Sequence, residues 1–318
     1  MDSCAEIIAV LKEEFETMKK CILQTSVVAW DQKVTRTLLQ HWLDNFSGEH
    51  LNDIQAEQAI AAWLLMNFTY YSEKEVQELC RVLFRKYIHQ KLNETPYRTL
   101  NTSTSEKIRH ILEHTSFRGL GNPSESGGLI LYIFRQANGL SKDLFDELVR
   151  RENVVLIDDV TISGEQAIRY MKQLPSETSS VLATLFAAPD AISRIEKEAP
   201  KLSTLFAIAL DNRSKLFDKD SFAFSSYQNP DFIKVVREMC LYYGEKIISD
   251  KLTNAAPYMI HHPLGFDDGQ QMFAFYYNTP DNTIPLFWCN AENWRSLFPR
   301  YFKIDRVGEV KISDEKYW

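Results

Sequence analysis

One short stretch constrains the fold of this chain more than any other: Val154-Val-Leu-Ile-Asp-Asp-Val-Thr-Ile-Ser-Gly-Glu-Gln166. Residues 154–157 form an unbroken apolar run rich in β-branched side chains and bounded by polar residues, as a strand buried on both faces of a sheet does. Two carboxylates, Asp158 and Asp159, follow at once, and then a turn carrying Thr161, Ser163 and Gly164. Residues 165–174 have the composition of a helix, which Pro175 stops. A strand, an acidic pair, a hydroxyl-and-glycine turn and a helix together build a phosphate cradle. Gly164 lets the backbone come close, and the amides at the helix start point toward an anion. The same acids could instead cap the helix that follows.

The chain on either side extends the pattern. Residues 181–188 read as a strand, Pro189-Asp190 as a turn, 191–198 as a helix, and 205–210 as another strand ending in Asp211. That spacing predicts parallel strands with right-handed crossovers, hence an α/β fold with a doubly wound, mainly parallel sheet. Ligands of such sheets sit beyond the carboxyl ends of the strands, where Asp158, Asp159, Asp211 and the 188–190 turn all fall. Upstream, residues 116–128 read as a loop dense in glycine and hydroxyls that opens into an apolar helix over 129–137. It is a second candidate anion site at a helix start, or a plain turn capped by Ser126. Ser141 then caps a short helix over 142–150, with Arg150 and Arg151 at its end.

Three regions follow from these readings: an α-helical region over 1–95, an α/β core over 96–225 and an α+β extension over 226–318. Ser3-Cys-Ala-Glu6 and Ser72-Glu-Lys-Glu75 are capping boxes that open helices in the first. A helix over 230–248, a loop over 261–268 and an edge strand over 272–277 are expected in the last. His261 and His262 with Asp267 or Asp268 offer metal-ligand chemistry, but adjacent histidines rarely point the same way, and no metal site is assigned.

Composition narrows the function classes. Lys+Arg 36 against Asp+Glu 43 gives a net charge of -7, which argues against a broad nonspecific nucleic-acid surface. Cys4, Cys21, Cys80, Cys240 and Cys289 are scattered and odd in number, a pattern of reduced thiols in a cytoplasmic protein. No apolar run is long enough to span a bilayer and no signal-peptide core is present, so no membrane partner is expected.

The 154–166 motif resembles the phosphoribosyl-pyrophosphate loop of type I phosphoribosyltransferases. The resemblance implies that Asp158 and Asp159 hold the ribose hydroxyls and carry catalysis. Thr161, Ile162, Ser163, Gly164, Glu165 and Gln166 would wrap the 5′-phosphate. Ser124, Ser126, Gly127 and Gly128 would form the pyrophosphate loop, with charge added by Arg118, and Mg²⁺ would arrive with the substrate. Two positions depart from the pattern: Ile162 stands where a hydroxyl residue is usual, and Gln166 where the closing Thr or Ser is usual. The long flexible loop that closes over the reaction in active members has no room between Gly139 and Asn153. Together with Pro263-Leu-Gly-Phe and residues 278–288, the motif is similar to the divergent phosphoribosyltransferase-like proteins of bacterial conflict, or antiviral, systems. That likeness implies a ribosyl-transferring or glycosidic-bond-hydrolysing effector acting on phosphoribosyl pyrophosphate or a nucleotide. The missing closing loop, Ile162 and Gln166 favour an alternative, a non-catalytic nucleotide sensor that signals to a protein partner encoded in a defence operon.

Overall fold

A computed structural model of the protein describes residues 2–121, 126–146, 148–172 and 179–300. In chain order its elements are α1 (Cys4–Val28), α2 (Arg36–Leu43), α3 (Ile54–Met66), β1 (Thr69–Tyr71), α4 (Glu73–Asn93), α5 (Thr104–Glu113), β2 (Thr115–Gly119) and α6 (Ser126–Asn138). There follow β3 (Asn153–Thr161), α7 (Glu165–Met171), β4 (Ser179–Ala187), α8 (Pro189–Glu198), β5 (Leu202–Ala209), α9 (Pro230–Ile248), β6 (Phe273–Phe275) and α10 (Pro285–Trp288). The helix starts are set by side chains: Ser3, Ser72 and Ser103 each complete a capping box with Glu6, Glu75 and Glu106. Two compact units result. One gathers the chain up to Thr69, Ala223–Ala274 and the chain from Asn278; the other gathers Tyr70–Phe222 and Phe275–Tyr277.

The first unit is helical and aromatic. Fully buried Trp42 stacks on Phe287 and meets Phe46 edge-on, and its indole N–H donates to the Leu286 carbonyl. Beside it the buried Glu57 carboxylate accepts from the amides of Gly48, His50 and Leu51 and from the Tyr243 hydroxyl. A buried charge is tolerable only with such a full set of donors.

The second unit is built on a four-stranded parallel sheet in the order β2-β3-β4-β5. Phe117 of β2 stands in register with Val155 and packs on Phe134 of α6 and Tyr87 of α4. Leu156, the next residue along, faces the other way and packs with Leu182, Ala167 of α7 and Ile195 of α8. Helices therefore cover both faces, as the apolar run over 154–157 requires. Each strand steps to its neighbour in the same direction, so the α6 connection, on the opposite face from α7 and α8, is opposite to them in hand. It departs from the uniform right-handed series expected of parallel crossovers.

Two local expectations are corrected. Residues 116–119, read as loop, belong to strand β2, completed by register with β3. Where a helix is expected over 142–150, the described residues form one 3-10 turn, Lys142–Phe145. There the Asp146 carboxylate takes the Leu148 amide, so a local side-chain bond competes with the helical ladder. Arg151 closes the segment by donating to the carbonyls of Leu112, Thr115 and Asp143.

Candidate functional site

β3 runs on through the acidic motif, so Asp158 and Asp159 lie on the strand rather than after it. Both are buried, 5% and 9% exposed. Asp158 stands in register with Thr184 of β4, and Thr161 with Ala187. Neighbouring strand residues leave a sheet on opposite faces, which gives each acid its own surroundings.

Asp159 faces α6. Its Oδ1 accepts from the Ser126 hydroxyl at 3.1 Å and from the Val160 amide at 2.8 Å. Its Oδ2 accepts from the Tyr277 hydroxyl at 3.4 Å. Asp158 lies on the face of Leu156, and its Oδ1 accepts from the Asp159 amide at 3.0 Å. Burial first, then the carboxylates of Asp159 and Asp158, hold the Tyr277 phenol protonated well above the usual tyrosine range.

From Ile162 on, the turn after the strand packs with the face of Asp158, whereas Thr161, still in the ladder, shares the face of Asp159. Thr161 is buried and its carbonyl accepts the Ala188 amide. Ile162 and Ser163 are half-buried, and the Ser163 hydroxyl accepts the Glu165 amide. Gly164 has φ +70° in the left-handed region, and a Cβ there would come within 2.9 Å of Ile195. Only glycine makes this turn while packed on α8. Glu165 and Gln166 are exposed at the start of α7, Glu165 paired with Arg169.

The start of α6 belongs to the face of Asp159. A Cβ on Gly127 would sit 2.2 Å from the Leu120 carbonyl oxygen, and one on Gly119 would sit 2.9 Å from that of Gly127. Strand end and helix start are thus locked together by two residues without side chains, which brings Ser126 to Asp159. Gly128 follows on the first turn of the same helix. Ser124 lies outside the described residues.

Not every candidate gathers here. Arg118 stands in register with Leu156 and so faces away from α6; its Nε is buried and has no hydrogen-bond partner among the described residues. Arg151 is engaged at the opposite end of β3, eight residues from Asp159 and about 26 Å along a strand. Asp211, just past β5, is held below the ordinary carboxylate range by hydrogen bonds from Arg213. Among the described residues no three His, Cys, Asp or Glu side chains form a metal-holding group, His261 and His262 included. Tyr277 escaped the sequence reading. It follows strand β6, and the only local signal was an aromatic run, Phe275-Tyr-Tyr277, which reads as core.

No described helix is long and apolar enough to cross a membrane. Comparison with curated proteins finds no match. The PRTase-CE family, a phosphoribosyltransferase-type domain family, matches residues 39–300, which takes in the whole second unit, most of the first and every element of the site. With an α/β core, a parallel sheet and an acidic strand leading into a glycine turn, the chain belongs to the PRTase-CE family.

Proposed function

We propose that the protein binds phosphoribosyl pyrophosphate, or a related nucleotide, across the carboxyl end of β3 and transfers its ribosyl group. The observation that carries this reading is that the two anion-loop candidates flank one strand end on opposite faces, each with its own acid. The 162–166 part of the turn lies with Asp158 against α8, and the start of α6 lies with Asp159. A phosphoribosyl pyrophosphate has the same layout: a ribose diol in the middle, a 5′-phosphate on one side and a pyrophosphate leaving group at C1. The 161–166 turn suits the 5′-phosphate, residues 126–128 the pyrophosphate, and the two carboxylates the ribose hydroxyls.

Mg²⁺ fits this donor set. Asp158, Asp159 and the Thr161 hydroxyl are hard oxygen ligands too few for a full protein cage, as suits an ion that arrives on substrate phosphates and neutralises the departing charge. In the transfer, the C1–oxygen bond to pyrophosphate breaks and its electron pair leaves with pyrophosphate. An acceptor nitrogen, or water, bonds to C1 and loses its proton to solvent. The chain's part is to position and to stabilise charge. A role in bacterial antiviral defence is part of this proposal and rests on the sequence resemblance of the motif alone.

A second reading, a non-catalytic sensor that signals to a protein partner, is favoured by one feature. Between α6 and β3 the described residues form one 3-10 turn, Lys142–Phe145, where active members carry a long closing loop. Calorimetric titration of phosphoribosyl pyrophosphate, with and without Mg²⁺, tests the site shared by both readings. Wild type binds in a Mg²⁺-dependent manner and Asp158→Asn/Asp159→Asn does not. A folded wild type that takes up no ligand sinks both readings. Pyrophosphate release on incubation then separates enzyme from sensor.

A further inference from the structure

We propose that Tyr277 is a positioning residue for ribose recognition, its phenol orienting the Asp159 carboxylate toward the ligand's vicinal diol. This inference rests on the reading above, in which Asp159 meets a ribose hydroxyl.

Among the described residues beyond Phe222, Phe275–Tyr277 alone belong to the unit that contains the four-stranded sheet. The Tyr276 amide donates to the Tyr71 carbonyl at 2.9 Å, and the Phe275 ring packs against Phe186, near the carboxyl end of β4, and against Tyr71. Tyr277 lies flat on Phe275, with ring centroids 5.3 Å apart and planes at 2°. Phenylalanine would satisfy all of this stacking. What tyrosine adds is one hydroxyl, and its partner is Asp159.

The contact says what the hydroxyl is for. At 3.4 Å it is far longer than the usual O–H···O distance of about 2.7–2.8 Å, so it contributes little to folding. Tyr87, by contrast, spends its hydroxyl on Thr115 at 2.6 Å. Asp159 takes donors from three separate segments: Ser126 of α6, the Val160 amide of β3, and Tyr277. Donors on both oxygens set the plane of the carboxylate, so a diol meets it at one angle rather than many, which is preorganisation. The phenol remains a donor because its environment keeps it protonated.

The test titrates phosphoribosyl pyrophosphate and, separately, inorganic pyrophosphate, each with Mg²⁺, into wild type and Tyr277→Phe, with melting temperatures measured alongside. Tyr277→Phe weakens the ribosyl ligand about three- to tenfold, the size of one modest hydrogen bond, with pyrophosphate affinity and melting temperature unchanged. A parallel loss of both affinities together with melting temperature assigns Tyr277 to packing and overturns the proposal. Unchanged ribosyl affinity in Tyr277→Phe overturns it while leaving the proposed function standing. A wild type that binds neither ligand removes the proposed function, and this inference with it. Hydrogen exchange on wild type alone guards against a variant that fails to fold. Phosphoribosyl pyrophosphate slows exchange across 272–280 and pyrophosphate does not; equal protection by the two counts against the proposal.

Discussion

At the scale of single residues, two positions are held by constraints that one substitution removes. Glu57 is wholly buried and takes three backbone amides and a tyrosine hydroxyl. Glu57→Gln keeps the shape but replaces an acceptor oxygen by a donor facing donors. We expect a loss of about 2–4 kcal/mol in urea denaturation. Gly164→Ala places a Cβ against Ile195 at a positive φ, and a loss of about 1–3 kcal/mol is expected by the same measurement. The residue scale is also where the sequence spoke most unevenly. Asp158, Asp159 and Gly164 are legible because acid, hydroxyl and glycine follow a strand within a few positions. Tyr277 is not, because nothing in a local pattern says which distant segment returns to a carboxylate. Arg118 is hard to place for a related reason: which way its side chain faces depends on strand register, and β2 is a strand only through its pairing with β3.

At the scale of elements, caps and periodicity translated well. α9 begins at Pro230 behind its Asn229 cap and ends at Ile248, and the capping boxes at Ser3 and Ser72 form as read. Ser72→Ala removes the hydroxyl that accepts the Glu75 amide at the head of α4. A loss of about 1 kcal/mol, with the far-ultraviolet spectrum retained, is the expected outcome. Elements that owe their form to a neighbour were harder to read. β2 is short and carries Thr, Ser and Gly, so only its pairing with β3 makes it a strand. β3 outruns its apolar core because β4 supplies partners as far as Ala187, which draws both acids into the ladder. The stretch after Ser141 has helical composition, yet the Asp146 turn and the Arg151 clamp end it after one 3-10 turn.

For the whole molecule, the fold class was readable from one motif, because a buried parallel strand leaves little choice of architecture, and the family only through that motif's resemblance to a known loop. The handedness of the α6 connection was not, since periodicity does not encode which face a helix takes. Buried acidic side chains also predict how the protein responds to alkali. Burial raises Cys80 from 9.0 to about 12, Cys289 from 9.0 to about 11 and Tyr71 from 10.0 to about 12. Folded, these groups keep their protons where the unfolded chain has lost them. Their contribution to stability is therefore complete below pH 9 and is lost progressively as pH rises toward 12. Urea midpoints measured at pH 7.5 and at pH 10.5 should differ, the second being lower.

The contact between Gly127 and the Leu120 carbonyl has a consequence for how such a chain can vary. Even a methyl group at 127 collides with main chain, which no change of rotamer can relieve. In a saturation scan selected on folding, position 127 should tolerate no replacement, while Leu129 and Tyr132, exposed on the same helix, accept many. A lineage that loses this glycine must rebuild the end of β2 in the same step, so the strand end and the start of α6 are inherited as one unit.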